Sequence, residues 1–167
     1  MADPSSQKSR TRKSKPARSL RARALSALAR REYSRRELEV KLKPFTENSA
    51  EIPLLLDDFE RRGWISEARV VAQILATRRR RFGAQRITHE LRDKGISEAA
   101  IGGAREHLNE SETETARAIW LRKFKTVATD ARERARQMRF LQGRGFNLDV
   151  IRKVVSGHGV NSAGGDE

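Results

Sequence analysis

The chain has 167 residues and a formal net charge of +14, because 36 Lys and Arg residues outnumber 22 Asp and Glu residues. This excess predicts an anionic partner, which could be nucleic acid, an acidic protein surface or a membrane surface. The lack of cysteine excludes a disulfide framework, a thiol nucleophile and a cysteine-based zinc site, and no apolar run approaches the roughly 20 residues that cross a bilayer. We therefore expect a soluble, cytoplasmic protein.

The N-terminal third predicts a basic arm followed by three helices. Residues 1–17 are too polar and charged to bury a core, which predicts a disordered arm. Beyond the arm, apolar residues at helical spacing predict a first helix, and the capping box of Ser34 and Glu37 begins a second. Pro44 stops that helix, and a third, apolar helix ends at Gly63.

The following segments predict two further groups of helices. Ser66 caps the first helix of the second group, Gly83 separates it from the next helix, and Gly95 is placed to end that helix in the left-handed conformation. Ser111 and Glu114 form another capping box, which predicts that a new helix begins there. This new helix would open the third group.

The third group continues with two more helices, which begin at Asp130 and Asn147. The first of them is expected to bury one face, formed by Ala131, Ala135, Met138 and Leu141. No stretch alternates apolar and polar residues for long enough to propose a strand. The expected fold class is therefore all-α.

A helix-ending pattern occurs twice, 50 residues apart, in segments 91–101 and 141–151. Each copy has a Leu, a basic residue three positions later, a Gly, an apolar residue, a capping Ser or Asn, and an Ile ten positions after the Leu. A weaker third copy lies near residues 38–42. Duplication at this period indicates stacked units of supersecondary structure, whose function usually resides in an extended surface.

These patterns together predict three tandem three-helix modules in an elongated, curved, repeat-like array. The expected divisions are the disordered basic arm, the three modules and a flexible tail, at residues 1–17, 18–65, 66–108, 109–157 and 158–167. The tail is expected to fray because it carries three Gly residues and no apolar pattern.

Basic residues recur at comparable positions of the successive modules. The run of four arginines at positions 78–81 is more than the macrodipole of one helix end requires, which favours an anionic partner. For the three arginines of the third module, pairing with neighbouring carboxylates such as Glu133 is an alternative. The candidate binding residues are Arg31, Arg35 and Arg36 in the first module, Arg78, Arg79, Arg80, Arg81 and Arg86 in the second, and Arg132, Arg136 and Arg139 in the third.

No set of residues predicts catalysis, metal binding or a cofactor. The three histidines are isolated, and Asp57 and Asp58 point about 100° apart on a helix, so they do not form an acid pair. Neither a phosphate-binding loop nor a glycine-rich dinucleotide motif is present. Trp64, Phe82 and Trp120 are expected to pack at the boundaries between modules rather than to stack on bases.

Several short segments, in their order and spacing, resemble the RecX family, the bacterial regulators of the RecA recombinase. The similarity extends from about Leu20 to Val155. It rests on Ala24-Leu25, Leu28, the segment 33–38, Lys41-Leu42, Gly63-Trp64-Ile65, Gly83, Arg86-Ile87, Glu90-Leu91, Lys94-Gly95-Ile96, Phe140-Leu141, Arg144-Gly145-Phe146 and Ile151. The chain departs from the family where an acidic pair and a Phe-Ala pair are usual, since it has Ser66-Glu67 and Val70-Val71 there.

The resemblance implies a non-enzymatic inhibitor that lies in the groove of the RecA filament on single-stranded DNA. It would restrain ATP hydrolysis, strand exchange and SOS co-protease activity, and its partners would be RecA and single-stranded DNA, with duplex DNA left open. It implies neither a cofactor nor a membrane, and we expect a monomer. The candidate arginines would then contact RecA or DNA.

Two other interpretations remain open at this point. The chain could be a general DNA-binding protein of helix-turn-helix-like modules that acts without RecA. It could also be a helical-repeat scaffold for some other acidic protein, although the strict signatures of the common helical repeats are missing.

Overall fold

The computed structural model describes residues 18–157, so the predicted arm and tail lie outside the described residues. Within that range the chain forms helices and no strand, which confirms the all-α prediction. The helices are α1 (Leu20–Leu28), α2 (Arg35–Leu42), α3 (Glu51–Arg61), α4 (Glu67–Arg78), α5 (Ala84–Asp93), α6 (Glu98–Phe124), α7 (Ala131–Gln142) and α8 (Leu148–Val155), and a short 3₁₀ turn follows α2 at Lys43–Phe45.

Three clusters of buried apolar side chains follow one another along the chain. The first joins α1, α2 and α3 around Leu56 and Phe59, and the second joins α4, α5 and the first half of α6 around Leu91. The third joins the second half of α6 to α7 and α8 around Trp120 and Phe146. Each group of helices therefore has a core of its own, in which each fully buried large apolar side chain contributes about 1.5–3 kcal/mol to stability.

Helix α6 corrects one prediction from the sequence. It runs without interruption for 27 residues, so no new helix begins at Ser111, which lies exposed within it. Buried Ala104, Leu108, Glu112 and Ala116 keep a four-residue spacing through this region, and no Gly or Pro separates them. Consequently α6, about 40 Å long at 1.5 Å per residue, belongs to both the second and the third core. None of the helices in residues 18–157 is both long enough and apolar enough to cross a bilayer.

The buried face of α7 also differs from the prediction. Leu141 is fully buried and Met138 is half-buried, but Ala131 is exposed and Gln137 lies in the core instead. The indole Nε1 of Trp120 donates a hydrogen bond of 2.8 Å to Gln137 Oε1. A buried indole N–H needs an acceptor, and this requirement explains a polar residue in the core.

The repeated glycines connect successive modules. Gly95 and Gly145 have φ angles of +74° and +78°, which confirms their predicted left-handed conformation. The turn at Gly95 packs against the start of α2, where the Ser34 hydroxyl donates to the Lys94 carbonyl oxygen at 2.5 Å. The turn at Gly145 packs in the same way against the start of α5, because the backbone N–H of Gly83 donates to the Arg144 carbonyl oxygen at 2.9 Å. Each turn therefore docks on the second helix of the preceding module.

Candidate anion-binding surface

The arginine run at the end of α4 contains residues with different roles. Arg78 is the last residue of the helix and forms an ion pair of 3.2 Å with Glu90 on α5. Arg79 and Arg80 lie exposed in the turn that follows, and their side chains have no hydrogen bond or ion pair within residues 18–157. The guanidinium carbon of Arg81 lies 5.8 Å from the centre of the Phe82 ring. Arg79 and Arg80 are therefore the members of the run that are available to a partner.

Arg86 lies at the junction of the second and third modules. Its guanidinium carbon is 4.3 Å from the centre of the Phe82 ring, and its Nη1 donates to the Gly143 carbonyl oxygen at 3.2 Å. A Cβ atom added at Gly145 would overlap the Arg86 side chain and backbone. Arg86 is thus part of the docking contact between the two modules.

Two of the three arginines predicted in the first module have acidic partners. Arg35 lies 2.7 Å from Asp57 and 2.6 Å from Glu60, and the hydrogen bond to Asp57 raises the pKa of Arg35 above its ordinary value. Arg31 lies 3.0 Å from Glu37. Arg36 packs its aliphatic part against Gly95, and its guanidinium has no partner among the described residues.

Glu37 joins the first module to the second. Burial by itself would raise the pKa of Glu37, but hydrogen bonds from Arg31 and from Lys94 outweigh burial and hold that pKa below its ordinary value. Lys94, which belongs to the docked turn of the second module, lies 2.5 Å from the carboxylate. A second bridge across the same junction joins Arg69 to Glu32 at 2.9 Å. These cations stabilise the fold and are not available to a partner.

The three arginines predicted on α7 do lie together, around one surface cavity of about 330 Å³. Arg136 forms an ion pair of 3.2 Å with Glu133, as the alternative interpretation of this cluster foresaw. Arg132 and Arg139 are exposed and have no side-chain partner within residues 18–157. The unpartnered candidate arginines thus come from all three modules, and they are Arg36, Arg79, Arg80, Arg132 and Arg139.

Two carboxylates that were not among the predicted binding residues position the third helix of their modules. Glu112, which is 4 % exposed, accepts hydrogen bonds from the backbone N–H of Ala84 at 2.9 Å and from the Asn147 side chain at 2.5 Å. Glu67 accepts from the backbone N–H and the hydroxyl of Ser97 at 3.1 and 2.7 Å. Ser97 and Asn147 occupy equivalent positions in the duplicated pattern. An acidic residue on the first helix of both the second and the third module was therefore the sequence signal that could have predicted these contacts.

Glu112 also changes the role predicted for Asn147. This residue is the N-cap of α8 by position, but its side chain makes no capping hydrogen bond to the helix and instead donates to the Glu112 carboxylate. Glu112 thereby connects α5, α6 and α8 at the junction of the second and third modules. Because a buried carboxylate requires such donors, this junction is specified by its hydrogen bonds as well as by apolar packing.

Comparison with known proteins shows which family has this arrangement. Regulatory protein RecX of Leptothrix cholodnii is 47% identical over 119 residues, which cover 71% of this chain and 76% of that protein. The chain belongs to the RecX family. Regulatory protein RecX of Ralstonia nicotianae is 38% identical over 131 residues, covering 78% of this chain and 82% of its own length. The family resemblance seen in the sequence is thereby confirmed.

The RecX comparisons extend to domains and to the fold. Residues 110–155 match the family model described as the third three-helix domain of RecX, whose start falls within α6. A crystal structure of RecX from Lactobacillus salivarius aligns with a TM-score of 0.70 at 17% identity, covering 82% of this chain and 92% of that chain. An all-α fold of three-helix domains is therefore confirmed, whereas the precise module limits stay a prediction.

Proposed function

We propose that this member of the RecX family restrains the RecA recombinase, without catalysing a reaction, by binding along the groove of the RecA filament on single-stranded DNA. Membership in a family of regulatory proteins supports the regulatory role. The observation that carries the binding mode is the distribution of unpartnered arginines over all three modules. A partner that contacted only one module would leave most of these cations unused.

The connections between modules suggest how binding would restrain RecA. The second and third modules share α6, and backbone hydrogen bonds fix the Gly145 turn on α5. A body with connected modules that touches several RecA subunits at once would bind one filament conformation better than others. It would therefore slow the subunit movements that accompany ATP hydrolysis and strand exchange, and would act as a monomer in the bacterial cytoplasm to limit recombinational repair and the SOS response.

The unpartnered arginines are suited to contact both components of such a filament, the RecA protein and the DNA. A guanidinium binds carboxylates and phosphates through two parallel hydrogen bonds, so the same residue type can contact acidic protein or the DNA backbone. Contacts of this type are worth about 1.5–3 kcal/mol each when a charged group takes part. A few of them, distributed over three modules, would give specific binding without a deep pocket.

The rate of DNA-dependent ATP hydrolysis by RecA, measured while the protein is titrated in, tests this proposal. We expect strong inhibition at amounts far below those that coat the DNA, because one bound molecule would restrain several subunits. Inhibition that appears only when the DNA is saturated would instead indicate competition for DNA, and would favour a general DNA-binding protein.

A further inference from the structure

A cavity in the first module is lined by cations without any carboxylate. It lies between α1 and the segment from α2 to the 3₁₀ turn, has a volume of about 240 Å³, and includes Arg18, Arg23, Arg30 and Lys41 among its lining residues. Four other surface cavities of the described chain also contain Arg or Lys, and each of those includes at least one Asp or Glu. None of the four cations in the first-module cavity forms an ion pair with any of the residues 18–157. Like charges that line one cavity repel one another, and an anion bound between them would relieve this repulsion.

Arg23 is held in place to receive such an anion. Its guanidinium carbon lies 3.8 Å from the centre of the Phe45 ring, and its Nε donates to the Arg18 carbonyl oxygen at 3.1 Å. Stacking on a ring and one backbone hydrogen bond fix the orientation of a guanidinium while the N–H groups at its outer edge stay free. Less conformational entropy is then lost when an anion binds.

The dimensions and surroundings of the cavity indicate one group of a longer polyanion. Its volume of about 240 Å³ is below the roughly 300–1,000 Å³ of sites that enclose a small-molecule ligand. Phe45 is 51% exposed beside it, which leaves apolar ring surface at the rim. In the sequence, the cations continue from Arg18 into the preceding segment, at Lys8, Arg10, Arg12, Lys13 and Lys15. A ligand with regularly spaced negative charges fits this pattern better than a single small anion does.

The geometry points to a binding site for a phosphodiester group of single-stranded nucleic acid in this first-module cavity. A flexible single strand can turn one phosphate into a recess and leave its bases beside an exposed ring, whereas the phosphates of a duplex keep the spacing of a rigid helix. This inference rests on the proposed function only because both take single-stranded nucleic acid as a partner. Binding at this site does not require RecA. It also adds four cations to those predicted from the sequence.

Binding of a fluorescent oligothymidylate to the full chain, followed by anisotropy over a series of salt concentrations, tests this site. The variant Arg30→Ala/Lys41→Ala removes two exposed cations from the cavity. Its matched control, Arg122→Ala/Lys123→Ala, removes two exposed cations near the end of α6. We expect the cavity variant to bind at least about tenfold more weakly, with a salt slope smaller by about 0.7 for each phosphate that the variant no longer neutralises. The control should change affinity less than about twofold.

A charge-conserving variant distinguishes binding at this site from a general effect of net charge. Arg23→Lys keeps the charge but loses the flat fork that stacks on Phe45, so it should weaken binding of the oligothymidylate about threefold or more. Equal decreases in affinity for the cavity variant and its control, together with an unchanged Arg23→Lys variant, would overturn the proposal. Melting curves of all variants verify that each one is folded.

Two further measurements identify the ligand class and keep this proposal distinct from the proposed function. Equal affinity for a duplex of the same length would overturn the single-strand assignment. If the cavity variant no longer inhibits RecA but keeps its affinity for the oligothymidylate, the cavity binds acidic protein and the phosphodiester proposal is wrong. If the wild-type chain binds the strand through the cavity but leaves RecA uninhibited, this proposal stands and the proposed function fails.

Discussion

Three left-handed glycines give a graded test of how the modules are joined. Gly63, Gly95 and Gly145 have similar φ angles of +68°, +74° and +78°, so an alanine at any of them meets the same backbone strain. Their surroundings differ. An added Cβ would have open space at Gly63, would lie 3.0 Å from the Cβ and Cδ of Arg36 at Gly95, and would overlap the backbone of Arg86 at Gly145.

These surroundings predict an order of destabilisation. The left-handed conformation costs an alanine about 1–2 kcal/mol, and this should be the whole effect of Gly63→Ala. Gly95→Ala should cost somewhat more, because the Cδ of Arg36 can move aside whereas its Cβ, which is bonded to the backbone, must shift by a few tenths of an ångström. Gly145→Ala should cost about 3–5 kcal/mol, because the overlap forces apart the turn whose backbone carbonyls bind Gly83 and Gln85.

Thermal unfolding of the three variants measures this order directly. About 1 kcal/mol corresponds to about 2–4 °C for a chain of this size, so Gly145→Ala should melt well below Gly63→Ala. Equal decreases in melting temperature for all three variants would refute the docking of the Gly145 turn on α5, since backbone strain alone would then explain them.

Two substitutions of carboxylates and one deletion have further expected outcomes. Glu112→Gln should destabilise the protein by about 1–3 kcal/mol in urea unfolding, because an amide N–H₂ would face the donors of Ala84 or Asn147, whereas the exposed control Glu114→Gln should change little. Because the pKa of Glu37 is lowered in the folded protein, the ionised carboxylate stabilises the fold at pH values above its ordinary pKa of 4.5. This stabilisation is lost as the pH falls through the lower pKa of the folded protein. The melting temperature of Glu37→Gln should therefore decrease less than that of the wild type when the pH is lowered below 4.5. Deletion of residues 1–17 should leave helical circular dichroism and inhibition of RecA in place while reducing the salt dependence of DNA binding, and a loss of helix content would show that the arm is structural.

Most helix ends could be predicted from the sequence because the signals for them are local. Ser34 and Glu37 do form the predicted capping box, Ser66 accepts from the backbone N–H of Arg69, and Gly63 ends its segment with a positive φ angle. The same local signal failed at Ser111, where a capping-box sequence lies inside α6. There the buried residues on both sides keep one helical face, and burial outweighs a capping preference of about 1 kcal/mol.

The candidate surface could be predicted only in part, because ion pairing depends on tertiary structure. The sequence does not distinguish Arg35 from Arg79, since both lie at polar helix positions. In the structure, Arg35 forms ion pairs with carboxylates of α3, whereas Arg79 forms none within the described chain. The buried roles of Glu112 and Gln137 likewise arise from partners 17 to 35 residues away. A helical pattern locates such residues on a face but does not show what lies opposite.

The central claim is that unpartnered arginines in the modules bind the RecA filament and thereby restrain it. The most direct test is RecA ATP hydrolysis on single-stranded DNA, measured with substoichiometric amounts of the wild-type chain, of Arg79→Ala/Arg80→Ala, and of Arg10→Ala/Arg12→Ala. Both variants lose two charges, but only the first removes unpartnered arginines from the described surface. We expect the first variant to need about tenfold more protein for the same inhibition, and the second to inhibit almost like the wild type. Equal loss of inhibition in the two variants, or wild-type inhibition only at DNA saturation, would contradict the claim.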